Sequence, residues 1–201
     1  MSLNPPTEAQ FDALREVANV GCGHAANALS KLVGGRAVRI DVPCVVFTEP
    51  ESVAELLGNG DQPAVATSLD ILGQLEGRLF LVLEESEAHR LSTELLAYPE
   101  HQFEQPELRV LEEAGNIVAC ACLNAIASFT GLRLLPSTPT VSRQTTRDLV
   151  RQAVTELEPQ AHRVTALQAR FATFSAPLLS GQLLVLPRRH SVQVLLEKLG
   201  V

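Results

Sequence analysis

Residues Phe11–Leu32, FDALREVANVGCGHAANALSKL, decide how the chain is read, because the stretch occurs a second time. A shift of 97 residues lays Glu16, Asn19, Asn27, Ala28 and Gly34 on Glu113, Asn116, Asn124, Ala125 and Gly131. The second copy is LRVLEEAGNIVACACLNAIASFTGL, Leu108–Leu132. The chain therefore reads as two related halves, approximately residues 8–98 and 105–201, each led by one long helix.

At about 100° per residue, Asp12, Glu16, Asn19 and Gly23 fall within a sector of roughly 60° on one face of the first helix. Phe11, Leu14, Ala18, Cys22, Ala25, Leu29 and Leu32 gather opposite, toward a core. The second copy divides likewise: Leu108, Leu111, Gly115, Val118, Cys122, Ile126 and Phe129 inward, Arg109, Glu113, Asn116 and Cys120 outward. A carboxylate and a carboxamide three residues apart on an exposed helix face are neighbours. One can anchor a cation while the other places a water.

The remaining elements follow in matching order. Thr7 and Gln10 form a capping-box pattern, so the first helix spans about Glu8 to Val33 and closes at Gly34-Gly35. Arg36–Phe47 reads as a strand broken at Pro43. Glu51–Leu57 is a short helix, and Gly58–Asp61 a turn. Ala64–Leu72 and Gly77–Leu83 make a hairpin, and Ser86 caps a helix to Ala97. Tyr98–Gln105 connects the halves, and Pro106 suits the first turn of the second long helix, which ends near Gly131. A strand over Arg133–Val141, a helix over Arg143–Leu157, a hairpin of Val164–Phe174 with Gly181–Leu186, and a helix over Ser191–Leu199 complete the second half. The fold class is α+β (α/β): two pseudo-symmetric half-repeats whose antiparallel-rich sheet is covered by the long helices. With 201 residues, 46% of them hydrophobic, one domain of two interlocked halves has enough apolar surface for a core.

A net charge of −7 argues against a nucleic-acid partner or an anionic membrane surface. No run of about 20 apolar residues reads as a membrane span, and MSLNPPTEAQ lacks a basic-then-apolar signal pattern, so a cytoplasmic location is expected. Cys22, Cys44, Cys120 and Cys122 include no C-x-x-C pair and read as reduced thiols, with no metal expected. His24 lies off the stripe and aligns with Ala121, so it reads as a surface or boundary residue. Asn27 and Asn124 also repeat, and helix packing explains them as well as catalysis does.

Glu-x-x-Asn followed some two dozen residues later by Pro resembles the CheC/CheX/FliY family of bacterial chemotaxis phosphatases, most nearly its CheC type, which carries the motif twice. The family pattern is Asp or Ser, three residues, Glu, two residues, Asn, 22 residues, Pro. Asp12, Glu16, Asn19 and Pro43 fit it with 23 residues between Asn and Pro, and Glu113, Asn116 and Pro139 fit it with 22. Arg109 stands where Asp or Ser belongs, and Cys120 replaces the glycine supplied by Gly23. A single Glu-x-x-Asn is an ordinary feature of a solvated helix; duplication with matched prolines is what lifts it above that.

The resemblance implies hydrolysis of the phospho-aspartate of a CheY-type response regulator. Glu16 and Glu113 would anchor a receiver lysine, and Mg2+ would come with the receiver rather than from this chain. An acyl phosphate is already activated, so a water held in line with phosphorus suffices. Asn19 and Asn116 offer donor and acceptor atoms without an added anion. Two other classes are compatible with the same residues: a module that docks on a phosphorylated receiver without hydrolysis, and a regulatory subunit partnered by a CheD-like deamidase.

Overall fold

The computed structural model describes residues 5–96, 106–176 and 178–201. Helix α1 (Glu8–Leu32) starts where the sequence says it should: Thr7 accepts from the Gln10 backbone N–H while the Gln10 side chain accepts from Thr7 N–H. Strands β1 (Val38–Ile40) and β2 (Cys44–Thr48) are the two pieces of the broken strand, and α2 (Pro50–Leu56) follows. The hairpin β3 (Pro63–Gly73) and β4 (Gly77–Glu84) leads into α3 (Glu85–Leu96). The second half repeats the order as α4 (Pro106–Thr130), β5 (Leu134–Pro136), β6 (Thr140–Thr145), α5 (Thr146–Leu157), β7 (Val164–Thr173), β8 (Ser180–Pro187) and α6 (Arg189–Leu199). Both long helices are followed by a glycine at φ 69, Gly34 and Gly131, where a side chain would be strained. The expected connector, Tyr98–Gln105, lies outside the described residues.

All strand pairs are antiparallel, and the sheet runs β1-β7-β8-β4-β3-β5, with β2 also on β7 and β6 also on β3. Each half thus lays its broken strand along the hairpin of the other half. Centrally, β4 pairs with β8, and Phe80 faces Leu184. These two residues hold equivalent places in GRLFLVL and GQLLVLP, so the pseudo-twofold relation passes through this pair.

Alternation along the strands fills two apolar layers. Val65, Leu69, Leu79, Leu81, Leu83, Phe171 and Leu183 point toward a core with α1, α3, α4 and α6. Ala64, Ala66, Phe80, Val82, Leu184 and Leu186 point to the other side, where α2 and α5 cover them. The sheet is therefore buried on both faces, and the short helices, not only the long ones, supply its cover.

Two local expectations are corrected. The helix expected from Arg143 begins at Thr146, because Arg143–Thr145 pairs with β3 and the Thr145 hydroxyl accepts from Asp148 N–H as a cap. Phe129, placed inward by periodicity, is 46% exposed, because it lines the open groove shared with Val20 and His24 of α1 rather than the packed face of α4. Helix α4 is long and apolar enough to cross a membrane by length and composition. Half of that segment is buried in this fold, and Glu113, Asn116 and Asn124 interrupt it with polar side chains.

Candidate functional site

Two neighbouring helices carry the candidate site residues. Helices α1 and α4 pack on each other. A Cβ built on Gly21 would stand 2.8 Å from Cys122 Sγ and 2.9 Å from Ile126 Cδ1, so glycine lets these α4 side chains seat directly against the α1 backbone. Farther along, α4 presses on β3: a Cβ on Gly115 would meet Thr67 Cγ2 at 2.3 Å. The Thr67 hydroxyl donates to the Leu111 carbonyl at 3.1 Å, satisfying a buried polar group at the contact. With their apolar faces committed in this way, both helices turn their polar stripes outward.

On α1, Asp12, Glu16 and Asn19 are exposed along one face. Asp12 is ion-paired with Arg15, whereas Glu16 and Asn19 make no side-chain hydrogen bond or ion pair among the described residues. Beyond Asn19, nothing lies within 4 Å of where a Gly23 side chain would begin, so another surface can reach the helix here.

On α4, Glu113 is exposed and Asn116 half-buried. Cys120, where the first copy has glycine, lies with its Sγ 3.6 Å from Asn116 Oδ1 and donates to it. That contact leaves the amide N–H2 as the outward end of the side chain. Arg109 pairs with Glu112 at 3.6 Å rather than with Glu113.

Pro43 and Pro139 sit off the helices, in the breaks between β1 and β2 and between β5 and β6. The breaks are built alike. Asp41 N–H donates to the Arg170 carbonyl and Ser137 N–H to the Asp70 carbonyl, each at 2.9 Å, continuing the ladder to the residue just past β1 and β5. Pro43 is buried and Pro139 half-buried. Because α1 packs on β1 and β2 while α4 packs on β5 and β6, each stripe rides over the broken strand of its own half.

Of the remaining polar groups, His24 is exposed and lines a shallow groove between α1 and α4 with Asn124 and Phe129, away from the stripes. Burial pushes the Cys22 thiol up to about 12 and Cys122 higher still, the latter also through proximity to Cys22, so both remain neutral thiols. Among the described residues no three His, Cys, Asp or Glu side chains gather as metal ligands. Sequence reasoning saw that Arg109 reverses the sign of Asp12, and missed the Cys120–Asn116 contact and the pairing of Arg109 with Glu112 and of Asp12 with Arg15. The 97-residue shift carries the second in plain sight, since it lays Arg15 on Glu112.

Chemically, each stripe presents an exposed carboxylate one helical turn from an amide. Such an arrangement suits a large partner that brings its own reacting group, with the carboxylate docking it and the amide holding a water.

Residues 10–46 match the CheC-like family. The chain is 29% identical over 204 residues to the CheY-P phosphatase CheC of Bacillus subtilis (strain 168), covering 98% of this chain and 97% of that one. Its fold is similar to Thermotoga maritima FliY, with a TM-score of 0.71, 20% identity and 98% of each chain covered. It is also similar to a chain of the CheX-CheY-BeF3-Mg+2 complex from Borrelia burgdorferi, with a TM-score of 0.55, 13% identity, and 85% of this chain and 97% of that chain covered. The chain is thus similar in sequence to the CheC-like family over residues 10–46 and to one CheC over nearly its whole length, and its fold is similar to those of FliY and CheX.

Proposed function

We propose that this chain is an aspartyl-phosphate phosphatase that docks a phosphorylated CheY-type response regulator on its outward stripes and hydrolyses the acyl phosphate. The observation that carries the reading is the exposed Glu and Asn pair, repeated on two packed helices, in a relative of a protein named as a CheY-P phosphatase. Glu16 and Glu113 anchor a lysine of the receiver, a contact favoured by opposite charge and by the absence of a competing partner within the described residues. Asn19 and Asn116 hold a water in line with phosphorus, and the water's oxygen attacks while the receiver's aspartate oxygen leaves. Neither amide gains or loses a proton, so the chain contributes position rather than acid or base. The divalent cation comes with the receiver, whose phosphoryl oxygens it neutralises. The two halves, with their exchanged edge strands, work as a single unit in the cytoplasm, where response regulators act.

The second stripe also supports a docking role without turnover, because Arg109 stands where the first stripe has an acid. A CheD-like deamidase is a further candidate partner on the strength of the family resemblance alone.

The test is the decay of a phosphorylated CheY-type receiver with Mg2+ in the presence of native protein, Asn19→Ala, Asn116→Ala and the double variant. Native protein accelerates decay, the double variant does not, and all four bind the beryllofluoride form of the receiver. Binding without faster decay by the native protein assigns the stripes to docking and rejects the enzyme.

A further inference from the structure

The two sites share Glu and Asn but differ in the ion pair just before them. On α1 the order is Asp12 then Arg15; at the equivalent places on α4 it is Arg109 then Glu112, with 3.6 Å between charged atoms. Both pairs span i,i+3, so each displays a positive and a negative end about one helical turn apart, with Arg15 and Glu112 at the edge of the stripe. Exposure is 66% and 45% for Asp12 and Arg15, and 66% and 29% for Arg109 and Glu112. These charges are therefore presented to whatever meets the helices.

The needs of the helix do not explain the reversal. Exposed pairs of this kind stabilise little, and an acid placed N-terminal to a base is the better order on a helix. Arg109–Glu112 has the poorer order, on the helix whose stripe repeats the Glu and Asn of α1. A function in recognition does explain it, because opposite charge patterns accept opposite partners and repel mismatched ones.

We propose that the reversed ion pairs make the two sites select receiver surfaces of opposite charge pattern. The first takes a receiver that sets a cation against Asp12 and an anion against Arg15; the second takes one with the reverse arrangement. Glu16 and Glu113 make the same contact in both. The inference rests on the docking role proposed above for the stripes, and it makes the chain a two-receiver protein rather than one with a working site and a spare.

Single-site proteins test it. Glu113→Lys leaves the first site and Glu16→Lys the second, and each is titrated with one CheY-type receiver in its beryllofluoride, Mg2+ form. At low ionic strength the two dissociation constants differ by about fivefold or more, in the direction set by that receiver's charges. Exchanging Asp12→Arg and Arg15→Glu in the Glu113→Lys protein, which keeps an i,i+3 pair and the helix, moves its constant to within about twofold of the Glu16→Lys protein. The difference shrinks toward unity in about 0.5 M NaCl, where exposed charges are screened over a few ångströms. Equal affinities at low salt, or an exchange that leaves the constant unmoved, overturn the inference. Failure of the native protein to bind overturns it together with the docking role. Affinities that follow the exchange while the native protein leaves phosphate decay unchanged uphold charge selection and reject only the hydrolytic step.

Discussion

Gly115→Ala is the substitution through which the placement of the second stripe is most directly measured. The added Cβ would stand 2.3 Å from Thr67 Cγ2 and 2.7 Å from Thr67 Cβ, and Thr67 is 3% exposed. Neither can yield without moving α4 off β3. Overpacking of this kind costs about 1–3 kcal/mol. Displacing Thr67 strains its bond to the Leu111 carbonyl, worth about 1 kcal/mol more. Alanine returns about 0.8–1 kcal/mol through its better helix propensity. The net loss is about 2 kcal/mol, or a melting point lowered by about 4–8 °C for a chain of this size.

Gly23→Ala serves as the internal control, since nothing lies within 4 Å of its Cβ. It raises stability by about 0.5–1 kcal/mol. Thermal unfolding followed by circular dichroism, with calorimetry to check two-state behaviour, measures both. Adding Thr67→Ser to Gly115→Ala removes the atom in closest conflict and recovers part of the loss, although Thr67→Ser alone destabilises. The reasoning is refuted if Gly115→Ala melts at or above the native temperature, or if the two substitutions add without coupling.

Three shorter predictions follow from other parts of the molecule. A thiol reagent at pH 8 modifies exposed Cys44 in the native protein, while Cys22 and Cys122 react only on unfolding because burial keeps them protonated; mass spectrometry locates the adducts, and rapid native labelling of Cys22 contradicts the packing described. Hydrogen bonds from Arg78, at 2.6 Å, and then from Gln152 hold Glu156 below its ordinary value, so its contribution is present above about pH 4.5 and is lost as pH falls through the lower folded value. Arg78→Met removes that acid sensitivity, by less than about 1 kcal/mol given the exposure of Glu156, and urea midpoints that keep their native slope between pH 6 and 3 exclude it. Cys120→Ala on an Asn19→Ala background lowers kcat at the second site roughly two- to threefold with KM unchanged, as suits an S–H···O contact of about 0.5 kcal/mol, and Cys120→Ser restores it. A change confined to KM would show that Cys120 does not orient Asn116.

Much of the local structure could be read directly. The capping box at Thr7, Gly34 and Gly131 after the long helices, and the outward face of Asp12, Glu16 and Asn19 all follow from short-range rules of backbone geometry and periodicity. Where such rules compete, they mislead. Arg143–Thr145 has a helical pattern ahead of it but pairs with β3, and Phe129 keeps helical phase but lies on the open groove between α1 and α4.

The sequence by itself determined that the chain is a repeat, that each half is led by a helix with a Glu and Asn stripe, and which residues are chemically able to anchor a partner and hold a water. These are properties of neighbours along the chain, spaced by the helix and strand periods. Only the tertiary structure decided that the broken strands exchange between halves, that α2 and α5 cover the second face, and that the sheet centres on Phe80 opposite Leu184. It alone also brought Cys120 to the Asn116 amide and Gly115 against Thr67. The physical reason is that strand edges and helix surfaces are satisfied by shape and burial over long separations in sequence, and a one-dimensional pattern does not specify which of several apolar faces will meet.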